Sequence, residues 1–260
     1  MTHPIRVLHV DDEPGLTELV ASFLERHNDR FDVHSETSPD DGLATLASTD
    51  IDCVVSDYEM PGKTGLDFLE DIREHHLTHP FILYTAKGSE EIASKAISNG
   101  VTDYIQKERC VDHYEVLANA IENTVSQYRA EQRAATMERR YKALFDQSEA
   151  AIAWIAFEGE TPIIRDVNPA FRTLFCGADQ AVVGTDLDEV VVTEKQSTKA
   201  RALSQKIRAG QSIVGEFTRE TVDGSRRMQV QVIPVAAPDN QPILNAFVMY
   251  FNVDQQRLEQ

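Results

Sequence analysis

The stretch IDCVVSDYEMPGKTG, residues 51–65, decides the fold. An apolar run closes on one acid, Asp57. A short loop carrying Pro61 and Gly62 follows, and Thr64 opens a helical pattern. A short apolar run rich in valine and bounded by turn residues reads as a buried strand. Working outward, the same grammar recurs. IRVLHV at 5–10 closes on Asp11 and Asp12, PFILY at 80–84 is followed by Thr85, and DYIQ at 103–106 is followed by Lys107. A further run lies at 31–36, and helical segments start near Pro14, Pro39, Thr64 and Ser89. Strands alternating with helices predict a parallel sheet with crossover helices. Pro14 suits a first helical turn, Ser38 and Ser89 are candidate N-caps, and Asn99-Gly100 marks a turn.

Parallel strands bring their carboxyl ends to one edge, where open α/β sheets bind ligands. Asp11, Asp12, Asp57, Thr85 and Lys107 are therefore expected to converge. Clustered carboxylates repel unless a cation or proton neutralises them, which suits a hard, oxygen-seeking ion such as Mg2+. Lys107 adds a point charge for an anionic oxygen and Thr85 a single hydroxyl donor. Such a set can place a phosphoryl group on a carboxylate.

The four motifs VDDE (10–13), SDYEMPGKTG (56–65), YTAKG (84–88) and DYIQK (103–107), in this order, resemble the receiver domain of two-component response regulators. That resemblance covers about residues 4–125. It implies a doubly wound, five-stranded flavodoxin-like sheet, with Asp57 as phosphoacceptor and Asp11, Asp12, Asp57 and the carbonyl of Glu59 as Mg2+ ligands. It also implies Lys107 as the phosphoryl contact and Thr85 and Tyr104 as switch residues. Tyr104 alone would equally be half-buried core. Where the family usually has proline after the lysine, this chain has Glu108.

From about 111 to 145 the chain is polar and free of Gly and Pro, which predicts a long helical connector. Ala118, Ile121, Val125 and Tyr128 keep helical spacing, continued by Gln132, Ala135, Arg139 and Lys142. Either a solvated connector or a dimer seam fits this pattern. Residues 146–260 follow a different grammar, with strand runs at about 151–157, 163–167, 213–221, 226–235 and 243–253 and helical pieces at 168–176 and 195–210. The last three runs, with VDGS (222–225) and PDNQP (238–242) between them, predict an antiparallel meander in an α+β domain. RDVNPAFRTLF (165–175) and VVGTDLDEVV (183–192) resemble a PAS domain, with Asn168-Pro169 at its strand-to-helix corner. The division expected is a receiver at 1–125, a connector at 111–145 and a PAS domain at 146–260.

Such domains hold haem, flavin, small metabolites or only proteins. All eight histidines precede residue 114, which excludes a histidine-ligated haem within 146–260. No cysteine lies in the helix beginning near Gly184, which excludes the cysteine-adduct flavin type. Trp154, Phe157, Phe171 and Phe175 read as core. The same lack of histidine excludes a kinase module in 114–260, so the chain is expected not to be an enzyme beyond its own phosphoacceptor chemistry. His75, His76 and His79 read as a helix end favoured by the dipole rather than a metal site.

The net charge of −18 divides as 9 basic minus 22 acidic (−13) in 1–110, 5 minus 5 (zero) in 111–145, and 11 minus 16 (−5) in 146–260. No basic stripe offsets it, so nucleic acid is not an expected partner. Three widely spaced cysteines suggest neither a disulfide framework nor a zinc site, and no apolar run reaches membrane-spanning length. The expected setting is soluble and cytoplasmic. The expected partner is a sensor histidine kinase or phosphotransfer protein, with a second copy, through the PAS domain and connector, as a further partner. The competing expectations are a metal-dependent phosphohydrolase using Asp57, and the N-terminal part of a larger receiver-PAS histidine kinase. Against the hydrolase, the position two beyond Asp57 is Glu59 rather than the aspartate of a DxD motif.

Overall fold

A computed structural model describes residues 3–75, 77–86, 90–107, 112–176, 181–192, 197–235 and 245–252. Two compact units divide at Ala135 and Thr136.

In the first unit, β1 (Ile5–Val10), β2 (Phe31–Glu36), β3 (Cys53–Ser56), β4 (Phe81–Thr85) and β5 (Asp103–Gln106) form an all-parallel sheet of order β2-β1-β3-β4-β5. The order reverses beside β1, so β1 and β3 flank the switch point of a doubly wound sheet, as expected. The apolar runs are continuous because both faces are covered. Ile5, Val7, Val55, Ile82 and Tyr84 pack on one face with Leu117, Ala118, Ile121 and Val125. Leu8, Val10, Val54, Phe81 and Leu83 pack on the other with Phe68, Leu69 and Ile72. Each such aliphatic side chain contributes roughly 1.5–3 kcal/mol by burial.

The helices start for local reasons. Pro14 opens α1 (Pro14–His27), where a missing N–H costs nothing. Ser38 caps α2 (Pro39–Ser48) by accepting from Asp41 N. Thr64 and Asp67 cap α3 (Gly65–Glu74) reciprocally. Gly100 takes φ +81° after α4 (Glu90–Ser98). The expected cap Ser89 lies outside the described residues. His75 caps the C-terminus of α3, its Nδ1 2.7 Å from Asp71 O. Among the described residues no three His, Cys, Asp or Glu side chains form a metal-binding group; His76 is outside them.

The long helix α5 (Asp112–Gln147) spans the expected connector. Its first half packs through Leu117, Ala118, Ile121 and Val125, and Arg129 is clamped by both carboxylate oxygens of Asp52 at 3.0 and 2.8 Å. Along the polar continuation of that spacing, Ala135 is half-buried and Gln132, Arg139 and Lys142 are exposed. These side chains are too polar to be buried, and Phe145 takes the buried position instead.

The second unit is an antiparallel sheet of order β7-β6-β10-β9-β8, made of β6 (Ala151–Glu158), β7 (Thr161–Val167), β8 (Ile213–Thr221), β9 (Gly224–Val235) and β10 (Asn245–Asn252). α6 (Pro169–Phe175), α7 (Leu187–Val191) and α8 (Ser197–Arg208) complete the α+β unit. The expected meander is β8-β9-β10, with Gly224 at φ +106° in the first turn. The second turn, PDNQP, lies outside the described residues. Phe157 and Phe171 are core, as expected, while Trp154 is half-buried beside Phe247. Among the described residues no helix is long and apolar enough to cross a membrane.

Candidate functional site

The carboxyl edge of the parallel sheet gathers charge by backbone geometry. Asp57 N donates to Val10 O at 2.8 Å and Asp11 N to Glu36 O at 3.2 Å, so each acid is held in the position that continues its strand. Lys107 N donates to Thr85 O at 2.7 Å and fixes the lysine one step beyond β5. From there its Nζ lies 2.6 Å from Asp57 Oδ1 and 2.6 Å from Asp11 Oδ2. Glu59 N donates to Asp57 Oδ2 at 2.7 Å, and Glu13 N to Asp11 Oδ1 at 2.9 Å. Asp11, Asp57 and Thr85 are buried, whereas Asp12 and Glu59 are exposed.

Three of the seven expected site residues, Asp11, Asp57 and Lys107, thus meet at one point. Thr85 ends the neighbouring strand on the same edge, and Tyr104 lies half-buried on β5. Asp12 adjoins Asp11 on the solvent side. The expected departure at Glu108 falls outside the described residues.

Electrostatics oppose full ionisation. Burial, chiefly, raises the Asp57 carboxyl above the usual carboxylate range, and Asp11 adds to the rise. The Lys107 hydrogen bond and charge and the Glu59 N–H pull the other way. The Asp11 and Asp57 carboxylates, which meet at Lys107, offer the oxygen chemistry that a hard divalent cation takes, while among the described residues no third acidic side chain is grouped with them. Asp11, Asp12, Asp57 and the Glu59 carbonyl are the groups that would hold one.

The loop after Asp57 is tightly held. Gly65 N donates to Tyr58 O at 2.8 Å, and a Cβ on Gly65 would lie 2.2 Å from Asp57 O. Lys63 Nζ ties the loop to Asp40 on α2 at 2.9 Å and Asp71 on α3 at 2.8 Å.

The sequence matches the response regulator receiver domain over residues 7–122. A PAS domain matches over 139–205. The chain carries a receiver domain followed by a PAS domain. The receiver segment is 33% identical over 106 residues to the transcriptional regulatory protein ResD of Bacillus subtilis, covering 41% of this chain and 43% of that protein. It is 35% identical over 104 residues to TrcR of Mycobacterium tuberculosis, covering 40% of each. The chain spans less than half the length of these curated relatives. A solved response regulator receiver domain protein from Clostridium thermocellum aligns with TM-score 0.44 and 25% identity, covering 48% of this chain and 98% of that one.

Sequence reasoning passed over three polar residues around the receiver site. Tyr84 lies under Lys107, its ring centroid 5.2 Å from Nζ. His113 stacks on Tyr84 at 5.3 Å and 12°. His9 is fully buried, and burial lowers its pKa to about 4, so it is neutral near pH 7. Tyr84 and His9 sit inside runs that read as plain core, and their strand alternation was the available signal. In the PAS domain, the buried Asn168 is the organising residue. Its Oδ1 accepts from Ile152 N and Phe171 N, both at 2.9 Å, and its Nδ2 donates to Phe145 O at 3.1 Å and Ala150 O at 2.8 Å. Among the described residues of the PAS domain, a cleft of about 690 Å³ is lined by Ala151, Leu174, Met228 and Tyr250, and a smaller one of about 40 Å³ lies beside Leu187, Phe217, Arg219 and Tyr250.

Proposed function

We propose that this chain is a two-component signalling protein whose receiver domain accepts a phosphoryl group on Asp57 from a sensor histidine kinase or a phosphotransfer protein. The observation that carries the reading is the convergence of Asp57 and Asp11 on the Lys107 ammonium, 2.6 Å from each. A carboxylate oxygen of Asp57 attacks the donor phosphorus; the new P–O bond forms as the bond to the donor nitrogen breaks, and that nitrogen keeps the electron pair. Lys107 balances charge on the phosphoryl oxygens, and Glu59 N–H holds one carboxylate oxygen in place. Asp11, Asp12, Asp57 and the Glu59 carbonyl would hold Mg2+, which would supply charge neutralisation for the phosphoryl transfer.

The phosphorylated side chain carries about 1.5–2 negative charges. Thr85 donates to one of the new oxygens, and a hydrogen bond to a charged group contributes about 1.5–3 kcal/mol. Tyr104 follows into the space that Thr85 leaves, which repacks the face formed by α4, β5 and α5. The PAS domain is the sensory or dimerising partner of this switch. A cleft of about 690 Å³ in this domain falls within the roughly 300–1,000 Å³ of small-molecule sites, which supports a small ligand there as well as protein contact. Beyond this self-phosphorylation chemistry the chain is read as a non-enzyme. Incubation with acetyl phosphate and Mg2+, followed by intact mass, tests the reading. One phosphoryl group on the parent and none on Asp57→Asn is the expected result, and labelling of both variants would overturn it.

A further inference from the structure

Tyr84 precedes the switch hydroxyl Thr85 on β4, and alternation points the two side chains to opposite faces of the sheet. Tyr84 is buried in the core that faces α5, only 2% exposed. Lys107 projects back from the end of β5 across that ring, its Nζ 5.2 Å from the centroid. This is within the roughly 6 Å at which a cation is attracted to an aromatic face. His113, in the first turn of α5, stacks on the same tyrosine nearly parallel, at 5.3 Å and 12°. The lysine therefore has three neighbours that fix it: Asp11, Asp57 and an aromatic ring that is itself fixed by α5. A core leucine would keep this position apolar, but it would leave the ammonium held by the two carboxylates alone.

That difference matters when Asp57 changes. A lysine is a point charge on a flexible stem, so carboxylates alone leave its direction loosely set. On phosphorylation the oxygens that Lys107 must meet move outward from the carboxylate. A neutral ring keeps its attraction for the cation through that change, because it carries no charge to be altered. Burial, chiefly, raises the Tyr84 phenol above its usual range, which keeps the ring neutral.

We infer that Tyr84 is a positioning residue for Lys107, aiming the ammonium at the phosphoryl oxygens and coupling its placement to the start of α5 through His113. The inference rests on the phosphoacceptor reading of Asp57, and it makes a claim of its own about Lys107. Two measurements test it, with the fold of each variant checked by thermal unfolding.

The first is the rate of acetyl phosphate labelling in Tyr84→Phe and Tyr84→Leu, each also placed on a Lys107→Met background. Tyr84→Phe keeps the ring and should label within about twofold of the parent, whereas Tyr84→Leu should label about three- to tenfold more slowly. On the Lys107→Met background the leucine effect should vanish, since the ring has no ammonium left to aim. Equal slowing with and without Lys107, or no slowing, overturns the inference. The second measurement does not use phosphate. The ε-methylene protons of Lys107 should be shifted upfield by the ring in the parent and in Tyr84→Phe, and return toward ordinary lysine values in Tyr84→Leu. Lysine shifts that ignore Tyr84→Leu overturn the inference. If the parent takes no label but the upfield shift persists, the phosphoacceptor reading of Asp57 fails and the ring's hold on Lys107 stands.

Discussion

The ammonium of Lys107 lies 2.6 Å from Oδ1 of Asp57, yet the Asp57 carboxyl still titrates above its ordinary range. Burial thus outweighs a charge-assisted contact, with the Asp11 carboxylate adding to the cost. The group is harder to ionise in the folded protein than in the unfolded chain. Its contribution to stability is full below the ordinary carboxylate pKa and is lost as pH rises through the raised folded value.

Asp57→Asn should therefore stabilise the receiver in metal-free buffer at pH 7, raising its Tm by a few degrees. The gap should close as pH falls below about 4, where the parent carboxyl becomes protonated in both states. Mg2+ added at pH 7 should raise the parent's Tm more than the variant's. Thermal unfolding in EDTA across this range checks the sign, and a variant less stable than the parent at pH 7 would contradict the argument.

Gly65→Ala should damage the loop after Asp57 through space alone. The added methyl would meet Asp57 O at 2.2 Å and Leu83 Cδ1 at 2.9 Å. Backbone cannot yield as a flexible side chain does, so the strand end or the start of α3 must shift. A destabilisation of about 1–3 kcal/mol is expected, with slower labelling of Asp57. Urea denaturation and acetyl phosphate kinetics measure the two effects. Parent-like values in both would show that the loop relaxes freely.

The sheet edge was legible in the sequence because parallel strands buried on both faces leave apolar runs with one chemical event at each end. Asp11, Asp57, Thr85 and Lys107 are those events. What surrounds them was not legible. Tyr84 and His9 sit inside the runs, where an aromatic or a neutral histidine reads as core, and their relation to Lys107 depends on a strand pairing that no local pattern encodes. Asn168 was readable as a corner, but its partners are backbone groups of Phe145, Ala150, Ile152 and Phe171, which carry no sequence signal. On α5 the change from apolar to polar residues at unchanged helical spacing was itself the legible sign that the packing surface ends.

Asn168→Ala should destabilise the PAS domain by about 2–4 kcal/mol, since two backbone N–H groups lose their acceptor and two carbonyls their donor in a buried place. Asn168→Asp should not rescue it. A carboxylate can still accept from Ile152 N and Phe171 N, but it turns an acceptor toward Phe145 O and Ala150 O. Chemical denaturation followed by Trp154 fluorescence reports on this unit. Full rescue by aspartate would mean that the two donated bonds contribute nothing.

Asp188 provides a test of the PAS core by pH. Burial, chiefly, together with Asp186, raises its pKa to about 6, against the opposing charges of Arg219 and Arg201. The folded domain therefore holds this proton more tightly than the unfolded chain does, and stability falls as pH rises from about 4 through about 6. Asp188→Asn keeps the shape and removes the ionisation, so it should stabilise the domain at pH 7.5 and leave it unchanged near pH 4. Because the side chain is partly open to water, the gain is about 1–2 kcal/mol rather than the full value of the shift. Arg219→Met, which removes the stronger of the two opposing influences, should move the midpoint of the pH dependence upward. Denaturation midpoints between pH 4 and 8 for the parent and both variants decide the matter. A pH-independent effect of Asp188→Asn would overturn the argument, since the variant keeps the backbone N–H that donates to the Asp186 cap at the start of α7.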